Sequence, residues 1–164
     1  MTGNNARTIC LSAVFMAIIC VATMAVQIPI PLGYAHLGDC MVLLAAVFLD
    51  SKYAVIAAAV GSMLADFVTG FLIWCVPTFI IKGAMVLIYV CTFRRTGNTI
   101  TSSALALLFM VAGYTVTGGM LYGGLLVGLA SAPGLLLKAA LNMVLFLFLA
   151  KYLAPIVRKI DGRR

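Results

Sequence analysis

The chain has 164 residues, of which 65% are hydrophobic and 9% charged; soluble domains run at roughly half and a quarter. That balance excludes a water-soluble fold, because too little polar surface exists to cover the apolar side chains. The net charge of +7 would suggest nucleic acid on a soluble protein, but the basic residues fall where membrane topology needs them, so no nucleic-acid partner is expected.

Crossing about 30 Å of hydrocarbon takes about 20 helical residues. The first apolar run, 8–27, follows a lone cation, Arg7, and is longer than a signal-peptide core, so it is predicted as a retained first helix. Ala13 and Ala17 give it a flat patch of small residues. Ile28-Pro-Ile-Pro-Leu-Gly33 then breaks the helix, since proline removes donors and glycine permits a turn. The second predicted helix, 37–49, is short for a full span. Its end cannot reach the membrane surface, so loop 28–36, with Tyr34 and His36, is expected to dip inward, where irregular backbone is tolerated only against protein or a cavity.

Asp50-Ser-Lys52 forms a tight turn before the third helix, 53–69, and loop 70–76 carries Trp74. The fourth helix, 77–93, starts on Pro77, a favoured first-turn residue, and ends at the basic turn 94–98. The fifth, 103–127, is rich in glycine. Its pairs Gly119/Gly123 and Gly124/Gly128 suit close helix packing, and Tyr114, Gly118 and Tyr122 share a face with room for a flat ligand. A loop at 128–132 precedes the sixth helix, 133–153, which begins on Pro133, and a basic tail follows.

The fold class expected is thus an all-α membrane protein, a six-transmembrane-helix bundle forming one integral domain over residues 1–164. Nine of the eleven basic residues (Arg7, Lys52, Arg94, Arg95, Lys151, Arg158, Lys159, Arg163 and Arg164) fall on one side of it. Positive charge accumulates on the cytoplasmic side, so both termini are expected there.

Four ionisable residues fall inside predicted helices: Asp39, Asp66, Lys82 and Lys138. Each costs several kcal/mol in hydrocarbon unless it is paired or faces a cavity. Each lysine stands five residues into its predicted helix, about 7–8 Å deep, and both acids lie near the same end, so the four charges form one layer. They either close as structural ion pairs or line a polar chamber open to the outside. Asn142, one turn from Lys138 on the same face, favours the chamber for Lys138. Tyr34, His36, Trp74 and Tyr122 belong to the same end, although a lone histidine is more often structural and a tryptophan more often an interface anchor.

Cys10, Cys20, Cys40, Cys75 and Cys91 show no metal spacing and read as small hydrophobes. No Ser/His/Asp order, HExxH or phosphate loop occurs, so no enzyme, metal site or cofactor is expected. The readings left are a capture subunit for a small solute and, as the alternative, a stand-alone secondary transporter or channel.

The stretch Gly33-Tyr-Ala-His-Leu-Gly-Asp39 with Val42-Leu-Leu-Ala-Ala46, then Gly61-Ser-Met-Leu-Ala-Asp66, Thr69-Gly-Phe71 and Pro77-Thr-Phe-Ile-Ile-Lys-Gly83, resembles the substrate-binding S components of energy-coupling factor (ECF) vitamin transporters. The Asp50-Ser-Lys52 turn departs from the Gly-Pro that relatives commonly carry there. The resemblance implies a six-helix fold with cytoplasmic termini, in the bacterial cytoplasmic membrane. It implies a vitamin or precursor held near the outer face beneath the loop joining helices 1 and 2. It also implies that Ala13 and Ala17 meet the membrane coupling (T) subunit, that two ABC ATPases complete the complex, and that the S component topples to release its cargo. A thiamin pyrimidine precursor or a pyridoxine-like vitamin is the expected cargo, riboflavin the next.

Overall fold

A computed structural model describes residues 2–25, 27–30 and 33–161, with side chains described for residues 6–153 except 26 and 30–34. The described chain is helical apart from one small hairpin. Its elements are α1 (Thr2–Ala25), β1 (Ile28–Ile30), β2 (Gly33–Ala35), α2 (Gly38–Phe48), α3 (Ser51–Val68), a single 3-10 turn (Leu72–Trp74), α4 (Cys75–Thr96), α5 (Thr99–Leu121) and α6 (Leu125–Asp161). Five of the six helices are long and apolar enough to cross a membrane.

The exception, α2, explains the architecture. Its 11 residues extend only about 16 Å. Val42, Leu43, Leu44 and Ala45 are all buried, so it is apolar on every side, as a helix enclosed by others must be. It packs on α1, α3, α4 and α6, while α3 packs on α1 and α4, and α5 on α4 and α6. Small residues let these helices approach: Ala54, Ala57, Ala58 and Gly61 line the buried side of α3. The long helices turn their large apolar residues outward, such as Val21, Phe67, Leu126 and Val144. In water that surface would be a liability; in a bilayer it is the lipid face.

The hairpin was read from the sequence only as a helix break. Its strands pair antiparallel, with Pro29 opposite Tyr34. From there the chain turns into the bundle, and Ala35 and His36 are buried. The expected inward dip is therefore present, immediately before α2.

The boundary between the last two helices differs from the expectation. α5 ends at Leu121 and α6 begins at Leu125, so the turn lies at 122–124 and not at 128–132. Gly123 and Gly124 supply it with φ of 92° and 155°, values that L side chains avoid. Pro133 sits inside α6 rather than at its start. The turn also splits the predicted GxxxG pairs: Gly119 lies in the last turn of α5, Gly123 and Gly124 fall between the helices, and Gly128 faces Gly119 from α6. The predicted ends of the other helices, at 8, 27, 37, 49, 53, 69, 77 and 93, shift by one to six residues.

Gly128 sets the spacing of α5 and α6. A Cβ there would lie 2.2 Å from the Thr115 carbonyl oxygen and 2.7 Å from the Gly119 nitrogen. Glycine to alanine within a helix normally stabilises it by about 1 kcal/mol. Here Gly128→Ala should destabilise by about 1–3 kcal/mol, because two backbones must separate. Thermal unfolding in detergent measures this, and an unchanged or higher midpoint would mean that the two helices do not touch at this point.

Candidate functional site

The N-terminus of α2 lies inside the protein. The first N–H groups of a helix have no intrahelical partner, and a buried helix end must find them one. Two side chains do so. His36 Nδ1 accepts from the Gly38 N–H at 3.0 Å, and Asn142 Oδ1, from α6, accepts from the Cys40 N–H at 2.8 Å. The Asn142 amide then donates to the His36 carbonyl at 2.8 Å and to the Lys138 carbonyl at 2.9 Å. Asn142 thus ties the inward loop and α2 to α6, and its polar atoms all serve backbone groups. Gly38 is required by space: a Cβ would lie 2.1 Å from Thr23 Oγ1.

Asp39 occupies the first turn of α2 and is fully buried, where the helix dipole favours negative charge. Two lysines reach it. Lys82 of α4 donates a short hydrogen bond to Oδ1. Lys138 of α6 stands 3.3 Å from Oδ2. The lysines are 0% and 3% exposed. One carboxylate therefore binds two ammonium groups from two helices. Taking such ions out of water costs several kcal/mol each, and only tight pairing offsets it.

His36 lies against this cluster, with Nε2 2.9 Å from Lys138 Nζ. Burial first, and the Lys138 charge second, hold its imidazole well below the usual histidine range, so it is neutral. Tyr114 of α5 closes one side. Lys82 Nζ and Lys138 Nζ each lie 5.3 Å from its ring centre, within cation–π range. The Tyr114 hydroxyl donates to Thr78 Oγ1 at 3.1 Å. Trp74 packs on Tyr114 with ring centres 5.6 Å apart and on Tyr122 at 6.2 Å.

The buried charge cluster thus lies under the loop that precedes α2, flanked by the Tyr114 and Trp74 rings. A sequence profile of the ECF-type riboflavin transporter S component family matches residues 3–155. The chain belongs to that family. It is therefore the substrate-binding subunit of an ECF transporter, a multi-pass membrane protein and not an enzyme. An uncharacterised protein of Pyrococcus woesei, encoded in a region 3′ of gap, is 38% identical over 108 residues, which cover 63% of this chain and 72% of that protein. The solved S component of a bacterial ECF transporter superposes with a TM-score of 0.78 at 20% identity, over 94% of this chain and 99% of that one; that likeness supports the fold.

Within this S component, three of the four charges anticipated as one layer, Asp39, Lys82 and Lys138, converge, with His36 and Asn142 against them. Their depth does not follow the predicted helix starts. Lys82 is seven residues into α4 and Lys138 thirteen into α6, about 10 and 20 Å along their axes. They meet at Asp39, and α6 extends further beyond its lysine than Pro133 suggested. Asp66 is buried near the same end of α3, 6% exposed. Trp74 is buried and Tyr122 half-exposed at the turn. The side chain of Tyr34 lies outside the described residues. Ala13 and Ala17 are exposed on α1. Tyr114 was visible in the sequence only as part of an aromatic face, yet it touches both lysines. Thr23, Ser62 and Thr115, also buried here, gave no sign of their place, since hydroxyls are common in membrane helices.

Asp39→Asn should cost about 3–5 kcal/mol, because it strands two buried cations. Pairing it with Lys138→Met, which removes one of them, should recover part of the loss. Unfolding in detergent micelles tests both, and a loss under about 1 kcal/mol for the single variant would mean the ions are solvated. His36 gives a pH dependence. Its depressed folded-state value means that the unfolded chain binds the extra proton, so stability is full above the ordinary histidine range and falls as pH drops through about 6.5. Melting from about pH 8 to pH 5 should show this decline, and His36→Gln should flatten it. An equal slope in that variant would assign the decline to other groups.

Proposed function

We propose that this S component captures a small vitamin or vitamin precursor with high affinity at the hairpin end of the bundle and delivers it through a membrane coupling subunit driven by two ABC ATPases. The hairpin end faces the exterior and both termini are cytoplasmic. The observation that carries this reading is the Lys82–Asp39–Lys138 cluster beside Trp74 and Tyr114, buried under the loop that precedes α2. Buried charges of this kind in a membrane protein mark a substrate site by default. The placement of the basic residues supports the orientation.

The ring-shaped part of the cargo rests against Trp74, Tyr114 and Tyr122, and its polar groups meet Lys82, Lys138 and Asp39. A compact site with few aromatic rings suits one heterocyclic ring better than three. This favours a pyridoxine-like vitamin or a thiamin pyrimidine precursor. Riboflavin, which the family's description names, is the second candidate. Asn142 acts here by holding the loop, α2 and α6 together, and Asp66 and His36 complete the wall.

Ala13 and Ala17 form a flat, exposed patch on α1 that suits close helix contact, and the coupling subunit docks there. Ala13→Trp should block assembly with the coupling subunit, seen as loss of co-purification, and leave cargo binding by the isolated chain unchanged. Loss of binding would mean that the patch serves the chamber. In liposomes, cargo uptake should require the coupling subunit, both ATPases and ATP; uptake at full rate without the ATPases would overturn the proposed mechanism.

A further inference from the structure

We infer that the turns at 69–74 and 122–124, which join the long helices at the hairpin end, rest in the acyl region of the bilayer and not in water. Lipid hydrocarbon is thus the partner of that surface. The inference goes beyond the capture reading and does not depend on what the chamber holds. Four observations lead to it.

The first is the distribution of charge. The charged residues toward this end are Asp39, Asp66, Lys82 and Lys138, and all four are buried. The other charged residues with described side chains, Arg7, Asp50, Lys52, Arg94, Arg95 and Lys151, lie toward the opposite end. From Phe67 to Ile81, and again from Gly118 to Leu137, the sequence holds no charged residue. Connections that face water are ordinarily polar.

The second is what the turns expose instead. Phe67, Leu72, Ile73 and Val76 are exposed around the first, and Leu125 and Leu126 beside the other, Leu126 at 82%. This surface continues the lipid face of the helices that the turns connect. Trp74 joins the two turns, since its ring meets that of Tyr122 with centres 6.2 Å apart. A contiguous apolar surface of this kind marks a contact with protein or membrane, and its continuity with the lipid face assigns it to the membrane.

The third is length. α3 has 18 residues, about 27 Å, and Lys52 stands in its first turn. The hydrocarbon is about 30 Å thick. With the basic end held at one headgroup layer, α3 ends before the other layer is reached, and any tilt takes the turn deeper.

The fourth is the backbone. Irregular chain survives at that depth only when its polar groups find partners within the protein. The N–H groups of Thr69, Gly70, Phe71 and Trp74 donate to the carbonyls of Ala65, Phe67, Asp66 and Phe71 at 3.0, 3.3, 2.8 and 2.9 Å. The Thr69 hydroxyl donates to the Ala65 carbonyl at 2.7 Å. In the other turn, Tyr122 and Gly124 donate to the Gly118 and Gly119 carbonyls at 3.0 and 2.8 Å.

Three connections close this end, at 26–37, 69–74 and 122–124. With two of them in lipid, the hairpin connection is the one left to meet water. On the capture reading, cargo arriving from water passes the hairpin.

Tryptophan fluorescence reads the depth. Trp74 is the single tryptophan of the chain. Trp74→Phe combined with Leu72→Trp therefore places one indole on the first turn, and Trp74→Phe combined with Leu126→Trp places it beside the second. Each variant is reconstituted in phosphatidylcholine liposomes, with plain or acyl-brominated chains, and iodide is added to the water. Brominated chains should remove most of the emission from both indoles, and iodide should remove little. The inference is overturned if iodide quenches either indole more than the brominated chains do, which puts that turn in water. It is also overturned if neither quencher reaches them, which means that a second copy of the chain covers the surface. The indoles sit on separate turns, so if one variant fails to fold the other still decides. Cargo takes no part in the readout, and a failure here leaves the capture reading standing.

Discussion

Asp39 is the constraint on which the rest of the structure depends. A carboxylate with no exposed surface persists in a membrane protein only if cations accompany it. It therefore draws a lysine from α4 and another from α6 to one point. The position of that point follows from the length of α2. A helix of 11 residues cannot span the bilayer, so its N-terminus and first-turn acid end inside the bundle, at depth. The loop before it must follow, and His36 and Asn142 provide the partners that the buried helix end requires.

The proposed capture of cargo uses the same geometry. Four elements meet at the cluster: the loop before α2, α2 itself, α4 and α6. α5 covers it with Tyr114, and the turn before α4 covers it with Trp74. Ion pairs shared between helices can be exchanged for pairs with a bound molecule at little net electrostatic loss, whereas an apolar core offers nothing to exchange. Buried ion pairs gathered at one level of the bundle also suit a capture subunit better than a channel, which would need polar residues along its whole length. About one helical turn from the cluster, the described core is apolar, with Leu43, Met85, Val86, Met110 and Phe146.

Much of this was legible in the sequence, because hydrocarbon penalises isolated charges so heavily. Asp39, Lys82 and Lys138 could stand inside apolar helices only if they met, and they do. The short second helix was legible from its length, and the inward loop followed from it. The turn between α5 and α6 was not. Six glycines between 113 and 128 offer several places to turn, and Pro133 imitates a helix start; backbone contact at Gly128 decided the matter, and no local propensity encodes that contact. The role of Asn142 was also hidden. Its spacing from Lys138 suggested a lined pocket, but its distant partners are backbone groups of the inward loop and of α2, more than a hundred residues away. Nor could the sequence tell two separate ion pairs from one acid shared by two lysines, since both satisfy the same rule.

The central claim is that the buried acid and its two lysines surround the cargo. A structure of the chain with its co-purified cargo bound tests this most directly. Density for a small ring compound should lie against Tyr114 and Trp74, with a polar group within hydrogen-bond distance of Lys138 Nζ. Cargo density at another place in the bundle, with the three charged side chains still paired to one another as they are here, would contradict it.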